Sequence, residues 1–204
     1  MPADTKQNME NISALSQKET DMSFSFIKCP IEGLYEIQPE VHGDQRGFFV
    51  ETYKKEEFFK AGLTMEFVQD NMSHSKRGVL RGLHFQKTFP QGKLVSVIQG
   101  EVFDVAVDLR NNSPTFGKYH GVYLSGEKHN MFYVSEGFAH GFAVVSDAAT
   151  FCYKCTDVYH PEDEGGIRWN DPTISVKWPD FGSEPLLSAK DTRSPFFDPN
   201  HKYF

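Results

Sequence analysis

"GEVFDVAVDLR", residues 100–110, decides how this chain folds. Phe103, Val105, Val107 and Leu109 fall on one side of an extended backbone, and Asp104, Ala106 and Asp108 fall on the other, because successive strand side chains point to opposite faces. A strand with carboxylates on one face must turn that face to water or to a polar cavity. Upstream, "SFSFIKCPIEGLYEIQPEV" (23–41) keeps the same period of two, with turn residues every several positions. That is the signature of an all-β sandwich or barrel. Downstream, "FCYKCTDVY" (151–159) alternates as well, so that Phe151, Tyr153, Cys155, Asp157 and Tyr159 share a face. A single helix is predicted at "KKEEFFKAG" (54–62), with strong helix formers, paired phenylalanines and Gly62 as its stop.

"VLRGLHFQ" (79–86) resists simple alternation. Arg81 and His84 are an odd number of positions apart and would point oppositely, unless a bulge at Gly82 brings them to one side. From "WPDFGSEPLLSAKDTRSPFFDP" (178–199) the chain is rich in proline and turn formers, which predicts an irregular cap over the sheet. Residues 1–22 are polar and without sustained periodicity, as expected of a disordered extension. Residues 23–204 then form one domain.

With 24% charged residues and no apolar run long enough to span a bilayer, the chain reads as a soluble, cytoplasmic protein. Its net charge of −7 argues against a nucleic-acid backbone as partner. Three cysteines do not make a disulfide framework. Cys152 and Cys155 form a C-x-x-C, but on a strand they point to opposite faces, and there is no second pair to complete a zinc site.

Glycine-rich phosphate loops and a G-x-S-x-G elbow are absent. What the chain offers is a histidine, a lysine and a tyrosine on neighbouring strands, with carboxylates in reach. That set suits proton abstraction beside a carbonyl: one group takes the proton, a cation stabilises the enolate oxygen, and a second acid returns a proton.

"DQRGFFVE" (44–51), "FVQDNMSHS" (67–75), "GVLRGLHFQ" (78–86), "QGKLVSVIQGEVFDVAVDLRNNSPTFGK" (91–118), "EGFAHGF" (136–142), "YKCTDVY" (153–159) and "WNDPTISVKWP" (169–179) follow one another in this order. Together they resemble the dTDP-4-dehydrorhamnose 3,5-epimerase family over about residues 24–195. The resemblance implies a cupin-type jelly roll or β-sandwich, a homodimer, a dTDP-linked 4-keto-6-deoxyhexose as substrate, and no metal or redox cofactor. It implies that His84 is the general base, that Asp191 orients it, that Tyr153 is the acid on the opposite face, and that Lys93 steadies the enolate oxygen. Arg46, Glu51, Gln69, Asn71, Arg81, His140, Glu164 and Lys190 match positions that hold the nucleotide or its diphosphate, and Tyr159 matches the tyrosine that stacks on thymine. Asp104 is a rival orienter, since its strand face is also suited to a cavity, and Asp191 could instead cap a turn.

"GFAHGF" is similar to the second metal motif of cupins. The first motif, however, has Phe85 and Gln86 after its single histidine, so a facial metal site lacks ligands. Ser135 stands where the family usually has proline. Two further readings stay open: an enzyme that inverts only C3 of a related sugar, and a cupin-like protein that binds a sugar nucleotide without turning it over.

Overall fold

The computed structural model describes residues 23–204; the expected disordered extension over 1–22 lies outside the described residues. Among the described residues, thirteen strands and two short α-helices follow in chain order: β1 (Phe24–Lys28), β2 (Leu34–Pro39), β3 (Val41–Asp44), β4 (Gly47–Val50), α1 (Lys55–Lys60), β5 (Gln69–Lys76), β6 (Leu80–Gln86), β7 (Lys93–Gln99), β8 (Glu101–Asp108), β9 (Tyr119–Ser125), β10 (Met131–Val134), β11 (Phe138–Val144), β12 (Ala148–Cys155), β13 (Glu164–Gly166) and α2 (Ala189–Arg193). The chain divides into two compact units, one holding residues 39–64 with the segment before residue 26, the other holding 26–38 and 65–204.

In the first unit, β3 and β4 form an antiparallel hairpin. α1 is the predicted helix, and Gly62 ends it with φ +86°. Phe58 is fully buried against the edges of Phe24 and Tyr53. The buried Glu57 carboxylate accepts from the Ser23 amide at 2.9 Å and pairs with Lys54 at 3.0 Å, so its charge is compensated on both sides.

The second unit is built on two antiparallel sheets, with strand orders β1-β2-β10-β7-β12-β5 and β13-β6-β11-β8-β9. The β-sandwich expected from the alternation is therefore present. In β8 the alternation is realised on two different cores. Val102 and Ala106 join Val95, Val122, Phe132, Phe142 and Phe151 between the sheets. Phe103, Val105, Val107 and Leu109 pack on the outer side against Ile167, Ile174, Phe197 and Tyr203 of the C-terminal segment. The tail thus caps the sheet as expected, and its apolar anchors each contribute about 1.5–3 kcal/mol by leaving water.

With β8 buried on both sides, the carboxylates of Asp104 and Asp108 do not reach water. Asp108 is fully buried and is held by Arg110 at 2.7 and 2.9 Å and by the hydroxyls of Ser113 and Thr115, both at 2.6 Å. These hydrogen bonds outweigh the burial that pushes its pKa up, and it lies below the ordinary aspartate value. Asp104 is fully buried too and reaches the cavity only through His140, which it meets at 2.8 Å. The common face read over 151–159 needs a correction: β12 ends at Cys155, so Asp157 and Tyr159 lie beyond the strand and are placed by loop contacts.

Candidate active site

A bulge builds the site. β11 pairs with β6 through His140 opposite His84 and Phe142 opposite Arg81, so three residues of β6 advance against two of β11. Gly82 carries φ +129°, and a Cβ there would meet the Gly141 Cα at 2.6 Å, so glycine alone fits this close approach. The consequence is the expected one: Arg81 and His84 line the same cavity, of about 530 Å³, together with Lys93, His140, Phe151, Tyr153 and, from the tail, Leu186, Leu187, Ser188 and Asp191. An adjoining cavity of about 300 Å³ is lined by Gln69, Asn71, Gln86, Gln91, Cys155, Tyr159 and Glu164. His84, Lys93 and Tyr153 line both, so they stand where the two lobes meet.

His84 Nε2 lies 2.5 Å from the Asp191 carboxylate. Asp191 is buried, which pushes its pKa up, but hydrogen bonds from His84 and Ser188 hold it below the usual value. An ionised carboxylate can only accept, so Nε2 is the nitrogen that donates to Asp191. Ser188 is the N-cap of α2, accepting from the Asp191 amide at 3.1 Å while its own hydroxyl donates to the carboxylate at 2.7 Å. Asp191 is thus fixed to His84 and does not serve as a turn cap. The rival, Asp104, is engaged elsewhere: it meets His140 Nε2 at 2.8 Å.

Glu164 sits beside the other imidazole nitrogen, 3.8 Å from Nδ1. It also pairs with Lys190 and accepts from the Tyr159 hydroxyl at 2.6 Å. Burial raises its pKa, and these donors bring it below the ordinary glutamate value. The same bond to Glu164 pushes Tyr159 up to about 12. Lys93 is partly buried in the cavity wall, and this burial lowers its pKa against the attraction of Cys155, Glu164 and Asp104. Tyr153 is raised, mainly by burial, and so keeps its proton at neutral pH. The arrangement offers an imidazole oriented by a carboxylate, a lysine in the cavity wall and a protonated phenol, all lining one space.

The remaining expected residues fall as follows. Arg81 donates to Ser75 Oγ at 2.9 and 3.2 Å. Gln69 and Asn71 are joined amide to amide at 2.9 Å, and Gln69 also accepts from the Tyr159 backbone. Lys190 is half exposed at its pair with Glu164. Arg46 and Glu51 belong to the first unit, where Arg46 is clasped by Asp44 in the hairpin turn and Glu51 lies 3.8 Å from Lys54. Sequence reasoning missed Ser188, Ser75, Gln86 and Gln91. Of these, Ser188 had a readable signal, the S-x-x-D spacing that opens a helix. Gln86 bridges the backbones of Phe89, Val158 and His160, a long-range contact with no local signature.

A β-sandwich whose cavity gathers these groups defines a protein fitted for moving protons beside a carbonyl. The chain belongs to the dTDP-4-dehydrorhamnose 3,5-epimerase family, whose model matches residues 28–198. It is 54% identical over 169 residues to dTDP-4-dehydrorhamnose 3,5-epimerase of Methanothermobacter thermautotrophicus, covering 82% of this chain and 91% of that one. Against the Salmonella typhimurium enzyme of the same name, identity is 51% over 174 residues, covering 84% and 94%. Among solved structures, dTDP-6-deoxy-D-glucose-3,5-epimerase RmlC of Legionella pneumophila, in complex with dTDP-4-keto-L-rhamnose, superposes with a TM-score of 0.82 at 50% identity, covering 85% of this chain and 92% of that chain. The jelly-roll class implied by the sequence motifs is that of these structures.

Proposed function

We propose that this protein is an isomerase that inverts C3 and C5 of dTDP-4-dehydro-6-deoxy-D-glucose, giving dTDP-4-dehydro-L-rhamnose. The observation that carries the proposal is the junction of the two lobes, where His84, Lys93 and Tyr153 converge with Asp191 fixed behind the imidazole. His84 Nδ1 takes the proton from the carbon beside the C4 ketone. The C–H electron pair moves into the ring and onto the carbonyl oxygen, where the Lys93 ammonium stabilises the enolate. The Tyr153 hydroxyl delivers a proton to the opposite face, so the carbon inverts; the imidazolium then gives its proton to solvent and the phenolate takes one from solvent, resetting both groups for the second carbon. The imidazolium formed at His84 lies between two carboxylates, Asp191 and Glu164, which lower its cost.

The polar lobe lined by Gln69, Asn71, Tyr159 and Glu164 suits a pyrimidine nucleotide: amides match its edge and a half-exposed phenol offers a stacking face. Arg81, His140 and Lys190 extend the binding set by their match to the family's motifs, Arg81 and Lys190 supplying positive charge an acidic protein needs for a diphosphate; Arg46 and Glu51 of the first unit match family positions that hold the nucleotide or its diphosphate. A homodimer belongs to the same reading, supported by the exposed apolar side chains of Ile27, Val68, Met72 and Ile98. Three free thiols are in keeping with a cytoplasmic home.

Incubation with the 4-keto sugar nucleotide in D₂O, followed by NMR, tests the reaction. Deuterium at both C3 and C5 is the expected result. Label at C3 alone would convert the reading to a single epimerase, and no label at either carbon with binding retained would leave a binding protein.

A further inference from the structure

Cys29, Glu36 and His120 bring a sulfur, a carboxylate oxygen and an imidazole nitrogen together, all within 4.8 Å of one another. None of the three lines either lobe of the cavity. Glu36 comes from β2 in the six-stranded sheet and His120 from β9, the last strand of the five-stranded sheet, and Cys29 lies just after β1 against the core between the sheets.

Two features set this cluster apart from an ordinary polar contact. His120 Nε2 is buried and has no hydrogen-bond partner among the described residues, although an orphaned buried nitrogen costs about 1–3 kcal/mol. The Glu36 carboxylate oxygen is 3.6 Å away, too far for a hydrogen bond. A tetrahedral ion with ligands near 2.0–2.3 Å sets its donors roughly 3.3–3.7 Å apart. The Glu36–His120 distance falls in that range, and the three donors, all within 4.8 Å of one another, are close enough to converge on one ion.

We propose that Cys29, Glu36 and His120 bind a single zinc-class divalent cation that ties the two sheets together, with solvent as fourth ligand beside the part-exposed Glu36. The donor set is a mixed sulfur, nitrogen and oxygen triad, which favours Zn²⁺ over Mg²⁺ or Ca²⁺, cations that take oxygen alone. Binding replaces the Cys29 S–H bond by a metal–sulfur bond and releases that proton to solvent. Without metal the thiol keeps its proton firmly, because burial pushes its pKa up to about 11 even though a backbone hydrogen bond from Glu36 opposes this. The cation acts on stability, apart from the groups assigned to proton transfer.

The test uses the untagged, full-length protein stripped with chelator and titrated with Zn²⁺ against a chromophoric competitor, and in parallel with Co²⁺. The expected result is one ion per chain, tetrahedral cobalt bands with a thiolate charge-transfer band, and a rise in melting temperature with metal. Cys29→Ser and His120→Asn should each weaken binding by about a hundredfold or more and abolish the rise in melting temperature. Glu36→Gln, on a part-exposed side chain, gives a variant that remains folded and should weaken binding less. Absence of saturable binding, a cobalt spectrum without the thiolate band, or affinity unchanged in Cys29→Ser and His120→Asn would overturn the proposal.

Discussion

Two histidine–aspartate pairs face one another across β6 and β11, and their environments differ. His84 and His140 are register partners, yet His84 keeps 28% of its side chain exposed and His140 only 9%. Asp191, behind His84, has a second donor in Ser188 and a lowered pKa. Asp104, behind His140, is fully enclosed, has an unpartnered oxygen and a raised pKa, because burial dominates over the attraction of His140 and Lys93. One pair is built to carry charge in the cavity wall, and the other resists it. The same two residue types therefore stand in opposite electrostatic settings, and the proposed reaction assigns proton transfer to the pair whose carboxylate is well supplied with hydrogen bonds and substrate binding to the histidine of the other.

The largest effect should come from disabling the first pair. His84→Asn is expected to lower kcat by about 10³-fold or more, and Asp191→Asn by about 10²-fold, since the amide no longer fixes the tautomer; steady-state kinetics on the 4-keto sugar nucleotide measures both. Gly82→Ala attacks the bulge that sets the two histidines in register. Its Cβ collides with Gly141 in a backbone region that L residues rarely adopt, so about 1–3 kcal/mol of stability should be lost, together with about 10² in kcat through misplacement of His84, read by urea unfolding and by turnover.

The two carboxylates should also leave opposite marks on stability against pH. Asp191 has a folded pKa below its unfolded value, so its contribution is present above about pH 4 and is lost as pH falls through the folded pKa. Asp104 has a folded pKa above its unfolded value, so its contribution is complete below about pH 4 and is lost as pH rises through the folded pKa. Urea unfolding of wild type against Asp191→Asn and Asp104→Asn across that range should give difference slopes of opposite sign, each at most about 1.4 kcal/mol per pH unit. Slopes of the same sign would erase the contrast between the pairs. The smallest effect is expected at the exposed Arg77–Asp147 pair, 3.4 Å apart: Arg77→Ala should change stability by less than about 1 kcal/mol, showing that charge pairing matters here only where water is excluded.

Much of this was readable locally. The period of two in residues 100–110 predicts β8, and the glycine in "VLRGLHFQ" predicts the bulge, because both follow from strand geometry over a few residues. The pairing of His84 with Asp191 spans 107 residues, and no local pattern contains it; only the likeness of "SAKD" and "GLHF" to a family's motifs brings them together. The enclosure of Asp104 and Asp108 was not legible either, because it depends on the tail covering the outer side of β8. Yet Arg110, Ser113 and Thr115 all lie within seven residues of Asp108, so its cage was written in the sequence immediately after it. Tyr159 escaped alternation because the strand stops four residues earlier.

The most direct measurement follows solvent deuterium entering the 4-keto sugar nucleotide, comparing wild type, His84→Asn and His140→Asn under identical conditions. The account predicts label in the wild type, slower but detectable label in His140→Asn, and none in His84→Asn. Persistent exchange in folded His84→Asn, with loss in His140→Asn, would contradict it and move the base to the buried pair.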